Sequence, residues 1–183
     1  SLLVLPESLS GLELWMKEME DQLLELTMFL TDFQSITELI TGILVIGVLA
    51  GIGEEMFFRG VVQPKMRLYT GSAHAGVWLT AIIFSAIHLQ FYGFLPRVFL
   101  GAMFGYLYLF SGSLIYPILA HILNNSITVI LVYLSNQGQI DFDIESTDTV
   151  SYPVALLGLL GLLAGIYYFK KLNRPNGELD KGI

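Results

Sequence analysis

The sequence contains no cysteine. Disulfides, a thiol nucleophile and thiolate metal ligation are therefore excluded, and histidine and carboxylate are left as the good metal donors. Charge is also scarce: Asp, Glu, Lys and Arg make up 14% of the 183 residues and hydrophobic residues 54%, whereas soluble proteins carry about 25% charged residues. With a mean hydropathy of +0.66, this is the composition of an integral membrane protein. Basic residues are the scarcest, 9 Lys and Arg against 16 Asp and Glu, and the net charge of -7 argues against a nucleic-acid partner. No aspartate falls in any apolar run, which removes an aspartyl dyad, and neither H-E-x-x-H nor G-x-S-x-G occurs. The amino-terminal stretch is acidic and amphipathic and lacks the basic head and short apolar core of a cleavable signal. It opens on Ser1, and the expectation is a fragment whose upstream helices are missing.

What the chain does have is long apolar runs, which predict an all-α polytopic transmembrane bundle of about five spans preceded by an amphipathic helix. Over 10–33, Leu12, Trp15, Met19, Leu23, Leu26 and Leu30 recur at three- and four-residue spacing with acids between them, the pattern of a helix lying on the membrane or against the bundle. Ser8 and Ser10 are its candidate caps. Spans follow over 36–63, ended by Pro64, then 73–91, 94–110, 114–134 and 152–169. The organisation is thus an amphipathic segment (1–35), a membrane domain (36–170) and a polar tail (171–183). Lys65 and Arg67 in one loop, and Lys170, Lys171 and Arg174 after the last span, set those ends on the cytoplasmic side. The loop carrying Asp141, Asp143, Glu145 and Asp148 then lies outside. Gly47 with Gly51, Gly101 with Gly105, and Gly161 with Gly165 are spaced for close helix approach.

The first span is interrupted where no interruption is cheap. From Leu39 to Gly53 nothing is charged, yet Glu54, Glu55 and Arg59 follow before the apolar run ends. One such group at the centre of a membrane helix costs about 3 kcal/mol on insertion scales, so three together mark a functional site. Adjacent glutamates point about 100° apart on a helix and must divide their roles. Glu55 precedes Arg59 by four, the favourable order for an ion pair along one face. Glu54 is left without a local partner and is the candidate base. His88 lies in the second apolar run, four residues after Phe84. His121 has Asn125 four residues on, beside Asn124 and Ser126, and His74 near Gly71 is assigned no role. At ~1.5 Å per residue all of these reach the cytoplasmic half or middle of one bundle. A carboxylate, two imidazoles and an amide that converge there, in a cavity open toward the cytoplasm, are the minimum kit for hydrolysing a peptide bond.

These residues form three motifs in order on successive spans: E-E-x-x-x-R at Glu54 to Arg59, F-x-x-x-H at Phe84 to His88, and H-x-x-x-N at His121 to Asn125. In this the chain resembles the CAAX protease and bacteriocin-processing family of intramembrane endopeptidases, also called the Abi family, over about residues 37–134. The resemblance implies that Glu54 and His88 activate water while His121 and Asn125 stabilise the oxyanion, with Glu55 and Arg59 in support. It equally allows Glu54, His88 and His121 to ligate a catalytic zinc. It implies as partners the lipid bilayer and a membrane-associated protein or peptide substrate, and the cell membrane as the location. Two other functions fit a membrane bundle with these residues: a proton-coupled transporter, and a non-catalytic immunity or scaffold protein. The first would be expected to carry acids at several depths, which the other spans lack.

Overall fold

The computed structural model describes residues 9–141 and 152–172. Among these the chain is helical throughout its regular structure. The helices are α1 (Ser10–Thr31), α2 (Ile36–Thr70), α3 (Ala73–Ala86), α4 (Phe94–Ser111), α5 (Ile115–Asn136) and α6 (Tyr152–Leu172). Ser8, Asp143, Glu145, Asp148 and the tail beyond Leu172, Arg174 included, lie outside the described residues. Among the described residues α2, α4 and α5 are long and apolar enough to cross a membrane. Their outer faces are apolar, with Leu44, Leu49, Leu119 and Leu123 all exposed. A membrane bundle is the architecture that makes such an exterior stable, because lipid replaces the missing packing partners.

Three local differences from the sequence reading shape the site. Ser10 is not a cap: Leu9 stands at that position without a side-chain bond, and Ser10 is the first helical residue. The capping signal lies instead at α2, where Ser35 accepts from the Glu38 N–H and the Glu38 carboxylate accepts from the Ser35 N–H, a reciprocal box. Pro64 does not end the first span, because α2 runs on to Thr70. Its backbone is π-helical over Phe58–Val62, immediately before the proline. That wider turn makes room for the ring and for the missing N–H that would disrupt a regular α-helix. A second π-helical stretch covers Ile43–Leu49. The α-helical turns between them, Ala50–Phe57, carry both glutamates.

α3 also stops short, at Ala86 rather than near 91, after 14 residues. At ~1.5 Å per residue it covers about 21 Å of a core about 30 Å thick, so the turn that follows sits within membrane depth. Leu89 in that turn has φ 54, a left-handed conformation in which a Cβ is crowded. The turn folds under α1: the Glu20 carboxylate accepts from the N–H groups of Phe91 (2.7 Å) and Tyr92 (3.4 Å), and Trp15 packs on the Phe91 ring.

The glycine pairs bring the helices together. A Cβ on Gly47 would lie 2.5 Å from Ser126 Oγ, and one on Gly51 3.0 Å from Ile122 Cγ1, so α2 and α5 meet almost backbone to backbone beside the two glutamates. Gly101 and Gly105 do the same for α4 against Ala81 and Val77 of α3, around a core of Val77, Ala81, Val98 and Ala102. Gly161 and Gly165 on α6 have nothing within 4 Å among the described residues, so close packing is not seen there. At one end of the bundle Lys170 lies over the Phe110 ring and Phe169 against Tyr116. At the other, Asn136 donates to the Thr31 carbonyl at 2.9 Å.

Candidate active site

Glu55 and Arg59 are both fully buried, and Arg59 Nη1 donates to Glu55 Oε1 at 2.7 Å. The second guanidinium nitrogen, Nη2, donates to the Gly101 carbonyl at 2.7 Å, which ties α2 to α4. The aromatic rings of Phe58, Phe84 and Phe104 surround the cation, with centroids 6.0, 5.2 and 5.5 Å from its central carbon. Their negative faces replace part of the solvation that burial removes.

The same Glu55 oxygen accepts from His121 Nδ1 at 2.7 Å. One buried carboxylate thus holds an arginine of its own helix and a histidine of α5. The His121 ring is stacked on Phe104 at 4.9 Å and is itself buried, so its plane and direction are fixed. Because the Nδ1–H donates to the Glu55 carboxylate, the other ring nitrogen, Nε2, carries a lone pair when the ring is neutral and a proton only in the imidazolium. Nε2 lies 3.8 Å from Glu54 Oε2.

His88 is set by the backbone in the same way. Its Nδ1–H donates to the Phe84 carbonyl at 2.6 Å, which leaves Nε2 pointing 4.0 Å from Glu54 Oε2. Glu54 Oε2 is buried and has no hydrogen-bond partner among the described residues. The side chains of Glu54 and His88 are nevertheless about one-third exposed, at 31% and 30%, against 4% for His121. The site therefore has a closed wall on the Glu55, Arg59 and His121 side and an accessible edge at Glu54 and His88.

Asn125 stands elsewhere in this arrangement. Its amide Nδ2 donates to the Ile46 carbonyl at 3.1 Å, and its Oδ1 accepts from Asn124 at 3.2 Å. Ile46 belongs to the π-helical stretch Ile43–Leu49 of α2. The structure thus brings Glu54, His88 and His121 around one point, places Glu55 and Arg59 behind them, and engages Asn125 with the backbone about two turns away along α2. Phe104, which holds His121, is a residue the sequence reading did not single out, and Gly101 was singled out for close packing and not for the carbonyl that holds Arg59. The signal for Phe104 was indirect: it falls between the two closely packed glycines of α4.

As donors, one carboxylate oxygen and two imidazole nitrogens, each imidazole anchored through its other nitrogen, are the kind of set that holds a catalytic zinc. Ligands at ~2.0–2.2 Å from a tetrahedral ion stand about 3.3–3.6 Å apart, less than the 3.8 and 4.0 Å found here. No three His, Asp or Glu side chains among the described residues are arranged as a metal site. The set agrees with zinc in kind and not in spacing.

A family model described as Rce1-like, type II CAAX prenyl endopeptidase, matches residues 36–127. That range contains Glu54, Glu55, Arg59, His88, His121 and Asn125. The uncharacterized protein YpbD of Bacillus subtilis (strain 168) is 28% identical over 89 residues, which cover 46% of this chain and 42% of that protein. The chain spans less than half the length of this curated relative. No solved structure matches it at a significant level.

Proposed function

Because the chain belongs to the Rce1-like family of type II CAAX prenyl endopeptidases, we propose that it is a membrane endopeptidase that hydrolyses a peptide bond of a membrane-associated protein or peptide, with Glu54 as the base. The observation that carries this reading is the Glu54 Oε2 atom, buried without a hydrogen-bond partner among the described residues and facing two imidazole Nε2 atoms at 3.8 and 4.0 Å. Those separations suit a single water that lies ~2.6–3.2 Å from each group.

The chemistry follows from the proton inventory. Glu54 takes a proton from the water as its oxygen attacks the carbonyl carbon, and His88 Nε2 accepts a hydrogen bond from the remaining O–H, which stays on that oxygen, and so orients the lone pair. The carbonyl oxygen becomes an oxyanion. His121 in its imidazolium form donates to it from Nε2, since Nδ1 is already committed to Glu55. The Asn125 amide adds a second donor on release of the Ile46 carbonyl. Collapse breaks the C–N bond, and the leaving amine takes the proton that Glu54 holds. Behind these groups Glu55 and Arg59 position His121 and do not touch the substrate.

Were a zinc ion resident, Glu54, His88 and His121 would hold it, and it would acidify a bound water and polarise the carbonyl. None of the steps above depends on it. A cleavage assay in detergent with membrane-anchored peptides, comparing the native protein with Glu54→Gln, tests the proposal. Cleavage by the native protein alone, with both samples equally folded, is expected. Equal cleavage by both would remove Glu54 as the base, and cleavage by neither would remove the endopeptidase reading for this chain.

A further inference from the structure

Arg97 is the one charged residue in α4 (Phe94–Ser111), and it lies in the first turn, where its N–H makes the bond to the Gly93 carbonyl that opens the helix. This placement is unfavourable twice over. A cation in an apolar membrane helix is costly without a partner, and a positive charge at a helix amino terminus opposes the macrodipole. Arg59, the other arginine inside the bundle, is neutralised by Glu55 at 2.7 Å. Arg97 has no carboxylate within 4.0 Å among the described residues.

Its side chain is half-buried and is held over the turn that carries His88. Nη2 donates to Gln90 Oε1 and Nη1 to the Gln90 carbonyl at 3.4 Å, and a Cβ on Gly93 would lie 3.1 Å from Nη2. From there the guanidinium acts electrostatically on His88, Glu54 and Glu20. Glu20 is engaged with the N–H groups of Phe91 and Tyr92, and Glu54 faces the two imidazoles. A guanidinium has five donors in a fork that fits a carboxylate bidentately, and here both of its acceptors are neutral oxygens of one glutamine. What the fork lacks, among the described residues, is a carboxylate within bonding distance.

We propose that Arg97 is a specificity-determining residue that pairs with the free carboxy-terminal carboxylate of the peptide bound at Glu54 and His88. This rests on the endopeptidase reading for the identity of the ligand. The carboxy terminus is the one anion that every peptide carries regardless of sequence, and pairing with it would favour bonds near a chain end over bonds within a chain. A lipid phosphate is the other anion in a membrane. It fits less well, because a side chain reaching for lipid extends away from the bundle, whereas this one is folded onto Gln90 within electrostatic range of the site.

The probe is a fluorescent farnesylated peptide ending in a C-a-a-X sequence, made as the free acid and as the carboxy-terminal amide. Binding and cleavage are measured for the native protein, R97Q, R97K and Q90A, in nanodiscs of phosphatidylcholine alone and with phosphatidylglycerol. The native protein is expected to prefer the acid by about tenfold or more, in binding and in KM, as for a charge-assisted pair. R97Q should bring that ratio to near one in both lipids, and R97K should retain part of it. Q90A, which removes the side-chain acceptor of the fork, leaves the backbone carbonyl in place and keeps the cation, should preserve the preference.

An acid preference that survives in R97Q overturns the assignment. So does its loss in Q90A as complete as in R97Q, which would make Arg97 a positioning residue for the turn. A response of R97Q to anionic lipid alone assigns the side chain to the membrane and overturns the proposal too. Acid-selective, Arg97-dependent binding without cleavage would sink the endopeptidase reading and leave this inference standing. Cleavage without acid preference does the reverse.

Discussion

Glu55 Oε1 lies 2.7 Å from His121 Nδ1, across 66 residues of chain, and 2.7 Å from Arg59 Nη1 one helical turn away. A single oxygen thus fixes both the cation that locks α2 to α4 and the imidazole that faces Glu54. Glu55→Gln is expected to lower stability by about 3–5 kcal/mol, the cost of leaving a buried charge unpaired. Replacing Glu55 and Arg59 together by Leu and Met should recover much of that loss. Unfolding in mixed detergent measures both, and an unchanged midpoint for Glu55→Gln would show that the pair carries no stability.

Leu89 is held at φ 54 one residue after His88, so the turn's geometry and the imidazole's position are linked. Leu89→Gly should fold and cleave at close to the native rate, since glycine adopts this conformation without crowding. Leu89→Val should lose activity, because a β-branched residue is a steric outlier there. Similar rates for the two variants would dissociate the turn from His88.

Asn125 donates to the Ile46 carbonyl, and its proposed service to the oxyanion requires that bond to open. Asn125→Ala is expected to reduce kcat by roughly 10²-fold, as for removal of one oxyanion donor. It should cost only about 1 kcal/mol of stability for the lost bond. A stability loss without the kcat effect would reassign the amide to packing.

With Glu54 as the base, cleavage should persist after dialysis against a strong zinc chelator. Abolition by the chelator and recovery on adding zinc would instead assign Glu54, His88 and His121 as metal ligands, drawn closer than the 3.8–4.0 Å seen here.

Topology is open to a clean test because the native chain has no cysteine. Single cysteines at Lys65 and Lys170 should label from the cytoplasmic side, and one at Gln139, just past the end of α5, from the opposite side. Labelling of position 139 from the cytoplasm would invert the orientation.

The sequence by itself determined the class of molecule and the identities at its centre. Its apolar runs read as membrane helices, and the high cost of Glu54, Glu55 and Arg59 within one of them singled out the candidate site. The Glu55 to Arg59 pairing was legible because it is local: four residues on a helix is a fixed distance. The helix ends were less so. Pro64 reads as a terminator in isolation, and only the π-helical turn before it, packed against α3 and α4, lets α2 continue to Thr70. The stop of α3 at Ala86 likewise depends on the turn being held by Glu20 of α1, a contact across 71 residues that no local pattern announces. The tertiary structure alone decided which carboxylate His121 would bind, that Phe104 would stack on it, and that Asn125 would be drawn to the Ile46 carbonyl. Each of these depends on the rotation of one helix against another. That rotation is fixed by where Gly47 and Gly51 let α5 approach, through the sum of many small contacts, and it has no signature in residue spacing along a single helix.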